Sequence, residues 1–325
     1  MSLKEQEDLV GKTIDRFVEI LGKESVVDLT YWFNLLTFEV IGKPAFGNDF
    51  HGIESGKTHF WITDVLGSMS QASLSDTWKR FPVVGRLWMF FNPAWMRRLV
   101  AASMRHQKYT IDLTNKRINE ATTRKDFMSY LLSGRTRVSD IQLAAHASDF
   151  VNLTIWHNKI AGSETTATTL AVVFYYICKN ASVKQQLEEE ILSAFPAYKD
   201  INATSVAKLK YLHAVCLEAL RIFPPLPLGL PREVPHPAEM VDGFYVSGGT
   251  IVSTNPYAAS MSTDNFDKPE AFMPCRWLTG EPTDILDASK PFSCGPRSCL
   301  GRGGKLLYET QEPSDEALVN DDVAN

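Results

Sequence analysis

Apolar residues recur at helical spacing along most of this 325-residue chain, and that period favours a mainly α fold. Strand-like alternation is confined to about residues 230–254, where Asp242-Gly243 and Gly248-Gly249 predict turns. The sequence therefore predicts one mainly helical domain with a small β region. Helices are expected at Leu9–Leu21, Val26–Ile41, Thr58–Met69, Pro93–Ile118, Asp126–Leu132, Asp140–Cys178, Ser182–Ala194 and Tyr211–Ile222.

Composition and charge are those of a packed globular chain. Hydrophobic residues make up 44% and charged residues 22%, which is typical of a packed domain. The net charge of −5, with no basic stripe, gives no reason to expect a nucleic-acid partner. The longest apolar run, Leu170–Cys178, is far shorter than the ~20 residues of a membrane-spanning helix. The N-terminus is polar, so neither a signal peptide nor a membrane anchor is predicted within the chain.

The five cysteines, at positions 178, 216, 275, 294 and 299, are odd in number, which suits a reducing compartment. Their spacing matches neither a zinc framework nor a disulfide framework. Cys294 and Cys299 could supply half of a metal site, but no second pair or histidine cluster follows, so zinc is a weak alternative.

The segment Phe292-Ser-Cys-Gly-Pro-Arg-Ser-Cys299-Leu-Gly carries the strongest functional signal. A Cys299 thiolate on haem iron would donate electron density that favours cleavage of an O–O bond. Gly295 and Gly301 would let backbone N–H groups approach the sulfur, and Arg297 could pair with a haem propionate. The alternative is a buried structural cysteine in a glycine-rich turn, the usual environment of a lone cysteine.

This loop resembles the cysteine loop of the cytochrome P-450 family of haem-thiolate monooxygenases. The family pattern fixes a phenylalanine, a glycine, an arginine, the cysteine and a second glycine, and every fixed position is met here. The resemblance implies a partial cytochrome P-450 fold. It also makes Cys299 the axial ligand of a haem b iron, with Phe292, Gly295, Arg297 and Gly301 around it.

A second match to the family lies in the predicted helix at 211–222. Glu218 and Arg221 are three residues apart, so their side chains share one face and can pair. Alone, such an ion pair contributes little. In the family, an arginine from a later Pro-x-Arg-Trp segment completes a buried triad behind the haem. Here that arginine is Arg276, and Cys275 stands where glutamate is usual.

A third match, Ala161-Gly-Ser-Glu-Thr-Thr166, is similar to the oxygen-activation segment of the family's long central helix. Splitting dioxygen consumes two protons in a dry site, so the resemblance makes Glu164 the proton source and Thr165 the hydroxyl that holds the network. Ala161 and Gly162 would line the substrate pocket, where glycine leaves room for dioxygen. Without the other matches, the segment is an ordinary helix N-cap signature.

The resemblance also assigns two neighbouring regions. Leu228, Gly229 and Leu230 would line the substrate pocket beside the haem, and Arg232 would reach a propionate. An aromatic stretch such as the one at 78–95 is more often core or an exposed membrane-facing patch than part of a cofactor-binding motif. In the family this region lines substrate access and touches the bilayer, and the candidates for both roles are Trp88, Met89, Phe90 and Phe91.

The resemblance covers about residues 3–301, from near the fourth helix of the family to the cysteine loop. We expect residues 1–301 to form an incomplete cytochrome P-450 domain that lacks the anchor and the first three helices. Residues 152–159 insert about 2.2 helical turns, which rotates the upstream face by roughly 80°. Residues 302–325 are a divergent polar tail, expected to be disordered, with Lys305 where a small apolar residue is usual.

The resemblance implies insertion of one oxygen atom into a C–H bond of a lipophilic small molecule. Electrons would come from NADPH through an FAD/FMN reductase. A full-length member would sit at the cytosolic face of the endoplasmic reticulum membrane, and this chain, without an anchor, would be cytoplasmic. The motifs are most similar to filamentous-fungal members of secondary metabolism, which favours a polyketide or terpenoid substrate.

The alternative is a catalytically inactive remnant, since fold analogy does not establish activity. A mis-spliced product is the related interpretation. Gly304-Lys305 is what a reading frame running through an intron donor would encode, and the insertion at 152–159 could have the same origin.

Overall fold

The protein is described by a computed structural model over residues 7–46, 50–61, 63, 64, 74, 81, 83, 86, 87, 94–119, 156–279, 283–295, 298 and 299. Helices predominate among these residues and the strands are short, which confirms the predicted mainly α fold with a small β region. The chain divides into two compact units, residues 1–171 and 172–325. The boundary between them falls within one long helix.

The described part of the 1–171 unit contains helices that pack through aromatic and aliphatic side chains. The helices are α1 (Glu7–Leu21), α2 (Leu29–Phe46), α3 (Gly52–Ser55), α4 (Ala94–Asn119) and the first part of α5 (Trp156–Lys179). Phe17 of α1 lies against Phe33 of α2, with ring centroids 6.0 Å apart. Ala167 of α5 joins the same core cluster, so the beginning of α5 packs against α2.

Buried polar side chains form hydrogen bonds that connect the segments at 50–52 and around Trp61 to the helices α2 and α4. The carboxylate of Glu39, 1% exposed, accepts hydrogen bonds from the backbone N–H groups of Phe50, His51 and Gly52 at 3.0–3.2 Å. The N–H groups at and just before the start of a helix have no acceptor within the helix, and the Glu39 carboxylate supplies one for α3. The Trp61 indole donates to Nδ1 of His106 at 2.6 Å and so ties the segment before residue 64 to α4.

Residues 172–325 contain the rest of α5 and a second set of helices and short strands. The helices are α6 (Ala181–Ala194), α7 (Ala203–Val206), α8 (Lys210–Ile222), α9 (Pro256–Met261) and α10 (Arg276–Thr279). Single 3₁₀ turns form at Tyr198–Asp200 and Leu286–Ala288. Val173, Val183, Val215 and Ala219 form the core cluster that joins α5, α6 and α8.

The described strands form two antiparallel pairs inside the predicted β region. β1 (Arg232–Glu233) pairs with β4 (Ile251–Val252), and β2 (Ala238–Val241) pairs with β3 (Phe244–Ser247). Asp242 and Gly243, with φ of 49° and 78°, form the turn between β2 and β3. Positive φ at two successive residues is the geometry of a tight hairpin turn, which explains the Asp-Gly pair.

Helix bounds agree with the sequence prediction to within a few residues for α1, α4, α6 and α8. The predicted start of α2 at Val26 is wrong by three residues, because the Asp28 carboxylate accepts from the N–H of Tyr31 at 3.1 Å and caps the helix there. The end predicted at Ile41 is also short, since α2 continues to Phe46.

Several predictions lie wholly or partly outside the described residues. They concern residues 62 and 65–69 of the helix predicted at 58–69, the helices at 126–132 and 140–155, residues 152–155 of the insertion, the tail at 302–325, and Trp88, Met89, Phe90 and Phe91. The predicted helix start at Thr58 is wrong, because Thr58 and His59 are not helical. Residues 156–159 of the insertion form the first turn of α5.

Candidate functional site

Helix α8 carries Glu218 and Arg221 into the interior of residues 172–325, where both are 0% exposed. The Nε and Nη2 atoms of Arg221 each donate to one carboxylate oxygen of Glu218 at 2.8 Å. Two parallel bonds between planar groups fix the orientation of both side chains. The remaining Arg221 nitrogen, Nη1, donates to the carbonyl of Ser260 at 2.8 Å, which ties α8 to α9.

Arg276, at the start of α10, joins this pair and is 1% exposed. Its Nε donates to Oε1 of Glu218 at 3.1 Å. The same carboxylate accepts from the backbone N–H of Met273 and from the Trp277 indole, both at 2.9 Å. The structure therefore brings together the three residues of the sequence-predicted triad around one fully hydrogen-bonded carboxylate.

A fourth charged residue, Asp284, belongs to the same cluster, and sequence reasoning missed it. Its Oδ2 accepts from Nη1 of Arg276, and its Oδ1 accepts from the backbone N–H of Asp267 at 2.6 Å. The Phe266 ring lies beside both guanidinium groups, 5.0 Å from Cζ of Arg221 and 5.8 Å from Cζ of Arg276. Buried charges are costly unless they are paired and hydrogen-bonded, and each of these is.

Helix α8 also carries Cys216, whose thiol is expected to be unreactive. Burial raises the pKa of its thiol to about 11, so the sulfur stays protonated and is neither a good nucleophile nor a metal ligand at neutral pH. No disulfide joins any of the five cysteines, all of which the structure describes.

The cysteine loop folds back on itself through backbone hydrogen bonds. The N–H of Cys299 donates to the carbonyl of Phe292 at 2.8 Å, and the N–H of Ser298 donates to that of Gly295 at 3.0 Å. Ser293 and Gly295 have φ of 59° and 66°, the left-handed region that favours glycine. Cys299 is exposed, so its thiol is accessible from outside the loop. Arg297 and Gly301 lie outside the described residues.

The sequence-predicted oxygen segment lies in the first half of α5. Glu164 is exposed, Thr165 is half-buried, and Ser163 is 9% exposed on the face that packs toward the core. A Cβ added at Gly162 would lie 2.9 Å from Cδ1 of Ile41. Because glycine has no side chain, α5 can pack closely against α2 at this position. Sequence reasoning did not consider this role of Gly162. The side chain of Ala161 is outside the described residues.

The segment after α8 presents apolar side chains on a constrained backbone. Leu228 is 73% exposed and Leu230 is 53% exposed. A Cβ at Gly229 would lie 2.0 Å from the carbonyl oxygen of Thr254, so only glycine fits. Arg232 is exposed in β1, and its Nη1 donates to the carbonyl of the preceding Pro231 at 3.0 Å.

The described residues contain no group of three or more His, Cys, Asp or Glu side chains that could hold a metal ion. In the same part of the chain, no helix is both long and apolar enough to cross a membrane.

Several fungal cytochrome P450 monooxygenases are similar to this chain in sequence. Cytochrome P450 monooxygenase ORF11 of Penicillium roqueforti is 46% identical over 306 residues, which cover 93% of this chain and 62% of that protein. Cytochrome P450 monooxygenase BipB of Cochliobolus sativus is 36% identical over 315 residues, 94% of this chain and 60% of that protein. The chain thus spans about three fifths of the length of the curated relatives it matches.

Solved structures support the same fold. A crystal structure of a cytochrome P450 (CYP102L1) superposes with a TM-score of 0.72 at 23% identity, covering 92% of this chain and 64% of that one. The heme domain of cytochrome P450DA gives 0.71 at 19% identity, covering 94% and 65%. The family model described as Cytochrome P450 matches residues 2–303. The resemblance inferred from the cysteine loop is therefore confirmed, and the chain belongs to the cytochrome P450 family.

Proposed function

We propose that the protein is a haem-thiolate monooxygenase in which Cys299 is the axial ligand of a haem b iron. One observation carries the proposal: the exposed Cys299 thiol lies on the segment whose Asp284 pairs with Arg276 of the buried cluster around Glu218. The alternative from sequence, a structural cysteine in a turn, predicts a buried thiol. Cys299 is exposed instead.

The described residues fit such a group. A haem iron needs one strong protein ligand on one face, and the exposed thiol of Cys299 can supply it. Ser293 and Gly295 both have positive φ, which reverses the direction of the loop backbone. Glycine at 295 adopts this conformation without strain because it has no Cβ. We assign Phe292, Gly295, Arg297 and Gly301 to the thiolate side of the haem.

When bound, the haem supplies the activation of dioxygen. The protein supplies the surroundings and the protons. Exposed Glu164 can take up a proton from water, and half-buried Thr165, the next residue of α5, can pass it inward through its hydroxyl. Arg232 has guanidinium nitrogens available at an exposed position and is assigned to a propionate.

The proposed substrate is a lipophilic small molecule, which would gain one oxygen atom. Leu228 and Leu230 present exposed apolar side chains on either side of Gly229, and the family resemblance assigns these three residues, together with Ala161 and Gly162, to substrate binding. Because the relatives are fungal cytochrome P450 monooxygenases, we infer a polyketide or terpenoid of fungal secondary metabolism as the substrate class.

Partners and organisation belong to the same proposal. Electrons would come from NADPH through an FAD/FMN reductase, with the complete enzyme at the cytosolic face of the endoplasmic reticulum membrane. Residues 78–95 are proposed to contact the membrane surface. Residues 1–301 would be the cytochrome P-450 part of the chain and residues 302–325 a separate tail.

The deciding experiment is a spectrum of the purified chain expressed with a haem precursor. We expect a red protein whose reduced carbonyl complex shows the strongly red-shifted Soret band of thiolate ligation. Cys299→Ala should remove that band, while Cys294→Ala, a matched change five residues away in the same loop, should keep it. A folded but colourless chain, or a shifted band that survives Cys299→Ala, would overturn the proposal.

A further inference from the structure

Asp284 neutralises a cluster that would otherwise carry an unbalanced positive charge. Arg221 and Arg276 are both buried, and Glu218 alone can balance only one of them. Asp284 supplies the second carboxylate, and its side chain is 1% exposed, as is that of Arg276. An uncompensated charge at such depth is strongly destabilising. The pairing is therefore what makes the burial of Arg276 tolerable.

The neighbouring acid, Asp287, shows that this burial is specific to Asp284. Asp287 lies three residues later in the same segment, and its side chain is 82% exposed in an ion pair with Lys290. An exposed pair of this kind contributes little to stability. One aspartate of this segment is thus buried and the other is exposed, so substitutions of Asp287 are matched controls for substitutions of Asp284.

Asp284 also fixes the backbone at the start of the segment that leads to the cysteine loop. Its carboxylate accepts from the N–H of Asp267 at 2.6 Å, and the N–H of the next residue, Ile285, donates to the carbonyl of Asn265 at 2.7 Å. One residue therefore connects the charge cluster, the 265–267 segment and the approach to the loop.

Between Ile285 and Ser293, backbone hydrogen bonds close two short turns, and a further bond joins Cys299 to Phe292. The N–H of Ala288 donates to the carbonyl of Ile285 at 2.9 Å, and that of Ser293 donates to the carbonyl of Lys290 at 3.0 Å. The N–H of Cys299 then donates to the carbonyl of Phe292 at 2.8 Å. Each of these bonds restricts the backbone between residue 284 and the loop, so the pairing of Asp284 limits where the backbone of Cys299 can lie.

We infer that Asp284 is a positioning residue for Cys299, acting through its pairing with buried Arg276 and through the turns that follow it. The part of this inference that concerns haem rests on the proposed function. The part that concerns the order of the segment does not.

Hydrogen exchange of the purified chain tests the order of the segment without haem. Asp284→Asn keeps the size of the side chain but removes its charge, and amides at 285–295 should exchange about tenfold faster or more, because the unbalanced Arg276 charge favours local opening. Asp287→Asn should leave those rates unchanged. Equal rates in the wild type and Asp284→Asn, or equal acceleration by both variants, would overturn the inference.

Two further variants separate charge from mere disruption of packing. Asp284→Glu retains the charge, so its exchange rates should stay much closer to those of the wild type than to those of Asp284→Asn, and it serves as the readout if Asp284→Asn does not fold. Combining Asp284→Asn with Arg276→Gln restores charge balance, and the two effects together should be smaller than their sum. Additive effects, or a glutamate variant as disordered as the asparagine variant, would refute a role for the charge.

The spectrum of haem-loaded protein tests whether the effect of Asp284 extends to the ligation of the iron by Cys299. In Asp284→Asn, a larger share of the reduced carbonyl complex should lose the red-shifted thiolate band, while Asp287→Asn should match the wild type. A full thiolate band in a variant whose segment exchanges rapidly would refute the link to Cys299. If the wild type itself takes up no haem, the proposed function fails, and the exchange data still decide the role of Asp284 in ordering the segment.

Discussion

The carboxylate of Glu190, in the last turn of α6, accepts a hydrogen bond from the backbone N–H of Tyr211 in the first turn of α8, at 2.8 Å. Its second oxygen accepts from the N–H of Leu212 at 2.9 Å. The N-cap residue of α8, Leu209, has no side-chain acceptor, so the first N–H groups of that helix depend on another helix. Glu190 thus anchors one end of the helix whose other end carries Glu218 and Arg221.

Glu190→Ala should lower the free energy of unfolding by about 1–2 kcal/mol, the usual cost of losing an N-terminal cap with a favourable charge. Glu189→Ala is the matched control, because Glu189 accepts only an exposed bond from Gln185 in its own helix. Urea unfolding of both variants makes the comparison. Equal midpoints would show that the Glu190 bonds do not stabilise α8.

Glu218→Gln should be far more damaging, because it leaves two buried guanidinium groups facing one carboxylate. Removing one partner of a buried ion pair costs roughly 3–5 kcal/mol, a large part of the stability of a typical domain. The control is Glu188→Gln, which removes an exposed pair with Lys184. We expect the control to unfold at nearly the wild-type urea concentration, and a Glu218→Gln midpoint as high would contradict the role of the cluster.

The sequence alone anticipates the fold class and the pairing of Glu218 with Arg221, because both follow from local periodicity. The contact of Arg276 with this pair comes from the family resemblance, since 55 residues separate it from Arg221. Asp284 and Glu190 could not be identified, because nothing local distinguishes them from the exposed Asp287 and Glu189. Which acid becomes buried depends on the path of the chain in three dimensions.

Alkylation by iodoacetamide should distinguish Cys216 from the exposed cysteines. A thiol pKa of about 11 instead of 9.0 lowers the thiolate fraction roughly a hundredfold at pH 8, and only the thiolate reacts. The Cys216 rate should therefore keep rising with pH until about 11. Mass spectrometry of partly labelled protein can follow each cysteine, and labelling of Cys216 as early as Cys178 at pH 8 would contradict the burial.

Gly229→Ala should destabilise the protein by about 1–3 kcal/mol, since the added methyl group would overlap the Thr254 carbonyl and the backbone must move. Gly11→Ala provides the opposite case. Its Cβ would meet nothing within 4 Å in the middle of α1, so alanine should stabilise the protein by about 0.5–1 kcal/mol. Thermal unfolding of the two variants measures the signs, and a neutral Gly229→Ala would show that the segment is not held there.

Because Gly229 lies against the carbonyl of Thr254, position 229 must remain glycine, whereas its two neighbours can vary. Leu228 and Leu230 project from a backbone that the glycine holds in place, and their exposed side chains contribute little to folding. Replacements at these two positions can therefore change the chemistry that the segment presents while its course stays the same. Substitutions at Leu228 and Leu230 can thus accumulate one at a time with little loss of stability.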